Sequence, residues 1–140
     1  MKAPPPMLSS ATLLMPGCAV ASAVQRPPAE PSARAVFERF VDLLYRRRQV
    51  RAAFESCVVA RGFVDHGAAC FGSRAGAMAQ LGEHFARDDA QVQVLHTVFD
   101  GDVGMVHVQL TPRDGQPVHR RVDIFRVAEG RIVEHWELAS

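Results

Sequence analysis

Asp123 lies in the middle of Val122-Asp123-Ile124-Phe125-Arg126-Val127, a stretch that alternates as a β-strand does. Alternation puts Asp123 on the same face as Phe125 and Val127, so a carboxylate falls where an apolar, helix-covered layer is expected. Burial raises a carboxylate's pKa, and a nearby arginine or charged histidine lowers it. A carboxylate poised between those influences can take up and return a proton. Strand pairing supplies the neighbours. If Thr111 pairs near Pro117, Met105 opposes Asp123 and His107 opposes Arg121, all on one face. A two-residue Glu129-Gly130 loop sets Asp123 against Trp136, Phe125 against Glu134 and Val127 against Ile132. The expected site is therefore Asp123 with His107 as the acid–base pair, and Arg121, Trp136 and Glu134 around it. Two alternatives stay open: Asp123 forms a self-satisfied ion pair with Arg121 or His107, or a three-residue turn at Ala128 brings His135 and Glu137 inward instead.

His66, beside Gly67 in an irregular connection, is a further pocket candidate or else a surface histidine. His84 is expected as an exposed helix residue and His96 as a core-edge strand residue. His107, His119 and His135 could suggest a three-histidine metal site, but H-x-H and H-E-x-x-H spacings are missing, and no metal is expected. The sequence has no G-x-S-x-G, P-loop or G-x-G-x-x-G. Its only lysine is Lys2, so the domain has no internal amine for a Schiff base. Any carbon–carbon chemistry must then run by acid–base or electrostatic means, and no cofactor is expected.

Three helices and four consecutive strands must position these groups. Val36, Phe37, Phe40, Val41, Leu44 and Tyr45 recur at three- and four-residue spacing from Ala33 onward, with Ser32 as N-cap. A second helix is expected over Val50 to Val59, and a third from a Ser73 cap through Phe85, with Met78, Leu81 and Phe85 inward. After Asp88-Asp89 the period becomes two, predicting strands over Gln91–Phe99, Gly104–Thr111, Pro117–Ala128 and Arg131–Leu138. Helices followed by antiparallel strands give an α+β class, with the helices gathered on one face of a curved, mainly antiparallel sheet.

The chain has 140 residues, 48% of them hydrophobic and 22% charged, enough for a single domain with one core and unlike a disordered protein. Without Lys2, 15 arginines balance 15 acidic residues, which leaves no electrostatic footprint for nucleic acid. No apolar run approaches the roughly 18 residues of a membrane span. Residues 1–25 carry a basic start, a short apolar stretch and a small-residue exit, the order of a signal peptide. Leu14-Met15-Pro16-Gly17-Cys18 also resembles a bacterial lipoprotein box, with Cys18 as the lipid anchor. Export to the periplasm or a lipid anchor is the expectation; a disordered tail on a cytoplasmic protein is the alternative. Residues 26–32 form a Pro-rich linker, and 33–140 the folded domain. Cys57 and Cys70 remain as a pair that forms either a disulfide or two buried free thiols.

The segment from Val122 to Glu137, with Glu129-Gly130-Arg131-Ile132-Val133-Glu134-His135-Trp136-Glu137 at its end, resembles the C-terminal signature of SnoaL-like proteins of the nuclear transport factor 2-like superfamily. Phe63-Val64-Asp65-His66 is similar to that family's aromatic-x-Gln-His-Asn motif, and Val106-His107-Val108-Gln109-Leu110 to its strand with a pocket histidine. The resemblance covers about residues 33–140. It implies a cone-shaped domain, a homodimer through the outer sheet face, and a polyketide-cyclase type of aldol condensation without a cofactor. By the same resemblance Asp123 is the acid–base catalyst, His107 helps hold the enol oxygen, and His66 and Trp136 line the pocket of a small apolar substrate. Asp65, Gly67 and Glu137 depart from the family's usual Gln, Asn and Asp. The rival expectation is a non-catalytic, exported ligand-binding module with the same pocket.

Overall fold

The computed structural model describes residues 29–67, 72–86, 90–113 and 115–139. The leader, its Cys18 and residues 26–28 of the linker lie outside the described residues, as do Cys70 and the side chain of His84. Helix α1 spans Ala33–Val41 and opens where the Ser32 hydroxyl accepts from the Ala35 amide at 3.2 Å. Its stripe buries Val36, Phe37, Phe40 and Val41. The chain then widens into a π-helical turn, Asp42–Arg46, which buries Leu44 and Tyr45. Helix α2 is Val50–Cys57, shorter than expected at its end, and buries Val50, Ala53, Phe54 and Cys57. Helix α3 is Arg74–Ala86, and the Ser73 hydroxyl accepts from the Gly76 amide at its start. Met78, Leu81 and Phe85 pack against the core, as the periodicity predicts. Among the described residues no helix is long and apolar enough to cross a membrane.

The strands are β1 (Val64–Asp65), β2 (Ala90–Asp100), β3 (Val103–Pro112), β4 (His119–Ala128) and β5 (Arg131–Ala139). They form one sheet in the order β1-β5-β4-β3-β2. Every neighbouring pair is antiparallel except β1 on β5, which is parallel. The two-residue β1 falls inside the segment expected to be irregular. The architecture is otherwise the expected α+β class, three helices on one face of an open sheet.

That covered face carries Val106, Val108, Phe125, Val127 and Ile132, all buried, and the buried Asp123. Gly104 allows α1 to approach: a Cβ there would overlap the Phe37 ring. Phe37 and Phe40 sit against Phe125, with ring centroids 6.4 and 5.0 Å away.

Two registers differ from the expected ones by one residue, and each slip reverses a face. Val106, not Met105, opposes Asp123, and His107 opposes Val122. In the last hairpin the Glu129-Gly130 loop is two residues long as expected, with Ala128 opposite Arg131 and Val127 opposite Ile132. The register then shifts between Arg126 and Val127, which leaves Val133 as an extra residue in β5. Beyond that bulge Phe125 opposes His135 and Asp123 opposes Glu137. The inward pair is thus His135 and Glu137, produced by a bulge and not by a longer turn.

Candidate active site

Four elements bring polar groups to Asp123. On its own strand Arg121, two residues away and on the same face, donates from Nε to Oδ2 at 2.9 Å. The Tyr45 hydroxyl, at the end of the first helical run, donates to the same oxygen at 2.7 Å. From β5, His135 Nε2 donates to Oδ1 at 3.0 Å. The other imidazole nitrogen, Nδ1, donates to Asp65 Oδ1 at 2.9 Å, and that oxygen also accepts from the Gly67 amide at 2.8 Å. Arg121 reaches onward to Glu137 at 3.5 Å. The result is a chain of alternating charge, Asp65–His135–Asp123–Arg121–Glu137, capped by a phenol. Asp123 is 1% exposed, and among the described residues no buried side-chain polar atom lacks a partner.

The ionisation of these groups follows from their packing. For Asp123, burial is the largest single influence and favours the neutral acid. The His135 hydrogen bond and the Arg121 charge outweigh it, holding the carboxyl below its usual range. For His135, burial likewise pushes toward the neutral ring. The hydrogen bonds and charges of Asp123 and Asp65 overcome that, and its pKa stands above the ordinary imidazole value. Burial, and then the charge of Asp123, push the Tyr45 phenol well above its ordinary range, so it stays a donor.

These groups form the polar end of a cavity of about 280 Å³. Phe40, Leu44, Phe54, Phe63, Leu81 and Ile132 line its apolar side, and Gln80 adds one neutral polar group. A ligand fitting this space is small, largely apolar, and polar at one end.

The structure divides the expected site residues between the two faces of the sheet. Asp123 and Arg121 meet in the cavity. His107 does not join them: it pairs with His96 on the uncovered face, with the rings stacked 5.6 Å apart. His66, Trp136 and Glu134 also come together, but away from the cavity. His66 stacks on Trp136 at 5.1 Å and donates to Glu134 at 2.8 Å, and Arg126 holds the other Glu134 oxygen at 2.8 Å. The one-residue slips of β3 and β5 are the physical reason. His107, His119 and His135 do not converge, and among the described residues no group of three His, Cys, Asp or Glu side chains is placed to hold a metal ion. Cys57 is a buried free thiol.

Tyr45, Asp65, His135 and Glu137 take the places around Asp123 that were expected for other residues. Tyr45 had a signal: it is the only tyrosine, at the end of an apolar helical stripe, and a buried phenol needs a partner. Asp65 shares an alternation face with Phe63, and both line the cavity.

Comparison with known proteins agrees with this fold. A family model described as a SnoaL-like domain matches residues 37–135. No curated protein matches the chain. Several solved structures are similar in fold. An NTF2-like protein of unknown function from Mesorhizobium loti shares 20% identity at a TM-score of 0.64, over 77% of this chain and 90% of that one. A candidate SnoaL-like polyketide cyclase from Jannaschia sp. CCS1 shares 19% identity at 0.60, over 82% and 90%. AclR, a candidate hydroxylase from Streptomyces galilaeus, shares 15% at 0.61, over 77% and 78%. With its sheet order, helix-covered face and lined cavity, this chain has the fold of NTF2-like proteins and belongs to the SnoaL-like domain family.

Proposed function

We propose that the protein is a cofactor-independent acid–base enzyme acting next to a carbonyl of a small, largely apolar keto compound, in an aldol-condensation or isomerisation type of reaction. The observation that carries this reading is a buried, ionised carboxylate, Asp123, held by three donors at the polar end of an apolar cavity. Asp123 removes a proton from the carbon beside the carbonyl, and negative charge moves to the substrate oxygen. As Asp123 becomes neutral, Tyr45 Oη–H, Arg121 and His135 Nε2–H lose their anionic acceptor. They are then the nearest donors for the new oxyanion. The charge of the whole cluster changes little during the step, which favours it in a low-dielectric pocket. His135 replaces His107 in this scheme. The candidate cyclase among the structural neighbours adds support for this reaction class.

The test uses the full chain with a panel of small β-keto esters and ketones in heavy water, following deuterium at the carbon beside the carbonyl. Exchange above buffer in the wild type, reduced about 100-fold or more in Asp123→Asn, is the expected outcome. No exchange across the panel overturns the reading.

One observation favours a second reading, a non-catalytic binding pocket. Both Asp123 oxygens are already engaged and its carboxyl titrates low, as an ion pair would. A ligand copurifying with an exchange-inactive protein would establish that alternative.

A further inference from the structure

The acid–base reading leaves one buried carboxylate without a task. The side chain of Asp65 is 3% exposed, yet it lies on the far side of His135 from Asp123. We propose that Asp65 is a positioning residue: it clamps His135 through Nδ1, fixes the ring so that Nε2–H points at Asp123, and remains the counter-ion of His135 while Asp123 is discharged. This rests on the reading of Asp123 as the proton acceptor.

The geometry is built for that task. Strand β1 exists only as two residues, and they pair with the strand carrying the histidine, Asp65 directly opposite His135. The His66 amide donates to the His135 carbonyl at 2.8 Å, which ties the two backbones together next to the clamp. Gly67 completes the seat, donating its amide to Asp65 Oδ1 at 2.8 Å. A Cβ on Gly67 would stand 3.0 Å from that oxygen. The ring is held from the side as well, stacked on Phe125 with centroids 4.8 Å apart.

The chemistry supplies the reason for a second carboxylate. With Asp123 alone, His135 would lose its anionic partner when Asp123 takes the substrate proton. A buried imidazolium without a counter-ion sheds its proton, and one donor for the oxyanion would vanish when needed. Asp65 takes no part in the proton transfer, and its hydrogen bond to the other ring nitrogen keeps that donor in place. The groups facing His135 are Asp65 from β1, Asp123 and Arg121 from β4, Tyr45 from the π-helical turn and Glu137 from its own strand. Of these carboxylates, Asp65 and Asp123 are hydrogen-bonded to the ring.

The test is a ¹⁵N NMR titration of the His135 ring in the full chain, comparing wild type with Asp65→Asn, which keeps an acceptor but removes the charge. Asp65→Ser is the second variant if the first does not fold. The wild-type ring is expected to carry protons on both nitrogens at neutral pH. In the variant its titration midpoint is expected to fall by about one pH unit or more. An unchanged midpoint overturns the inference. Deuterium exchange on the same samples separates the two claims. An alkaline limb that moves down with the NMR midpoint supports the inference, and a limb that stays put while the midpoint moves overturns it. Absent exchange in the wild type, beside a shifted midpoint, overturns the enzyme reading and leaves the clamp supported.

Discussion

Two charge clusters, one on each face of β5, are built from nearly the same parts. Asp65 ends β1 and His66 follows it, Glu134 and His135 are adjacent in the neighbouring strand, and the pairs cross over. Asp65 holds His135 on the covered face, and His66 holds Glu134 on the uncovered one. Each cluster adds one arginine, Arg121 inside and Arg126 outside. The distances are alike, 2.9 Å for the inner histidine–carboxylate contact and 2.8 Å for the outer one. The settings are not: the inner histidine side chain is 14% exposed, the outer one 42%. Identical pairing chemistry thus gives a largely buried, hydrogen-bonded chain of charges on one side and an ordinary surface ion pair on the other. Burial, more than residue type, decides how strongly the groups of each cluster act on one another.

Removing the central carboxylate should separate the two faces most. Asp123→Ala leaves Arg121 and His135 without their shared acceptor and is expected to cost about 3–5 kcal/mol of unfolding free energy. Glu134→Gln on the outer face should leave the denaturation midpoint unmoved. Urea melts of both variants check this, and equal losses would erase the distinction. A smaller effect comes from packing. Gly104→Ala forces a methyl into the Phe37 ring on the covered face and should cost about 1–3 kcal/mol, whereas Met105→Ala on the other face should cost less in the same melts. The smallest effect is a pH dependence. His135 has a raised pKa, so its contribution is complete below about pH 6.5 and is lost as pH rises through the folded-state value. Asp123 has a lowered one, so its contribution holds above the ordinary aspartate value and is lost as pH falls through the folded-state value. Stability should therefore plateau between them and decline on the alkaline side, and that alkaline decline should be missing in His135→Gln.

The elements were legible because their signals are local. The stripe from Val36 to Tyr45, the Ser32 and Ser73 caps and the Glu129-Gly130 loop each show within a few residues. The face of Asp123 was legible for the same reason, since Phe125 and Val127 share it. The partners were not, because partnership depends on register between strands. In β3 a cue was present: Gly104, Val106, Val108 and Leu110 form the apolar set, while Met105, His107 and Gln109 alternate with it. That pattern puts the even positions inward, against the register that the Pro112–Pro117 turn implies, and the pattern agrees with the observed pairing. In β5 no comparable cue exists. Val133 looks like any strand residue, and nothing in Ile132-Val133-Glu134 announces that one of them goes unpaired. His135 and Glu137 were therefore reachable only as an alternative, and the two-residue β1 that delivers Asp65 was too short to register as a strand.

That unpaired valine has an evolutionary consequence. Point substitutions change a pocket one side chain at a time, and each intermediate leaves a buried charge half matched. Inserting one residue after Val133, with the bulge kept at a single residue, instead exchanges every pocket-facing side chain beyond it in a single event, trading His135 and Glu137 for Glu134 and Trp136. An interior with the charged chain around Asp123 and one without it are then one codon apart on the same scaffold, so the architecture can persist while the pocket lining changes.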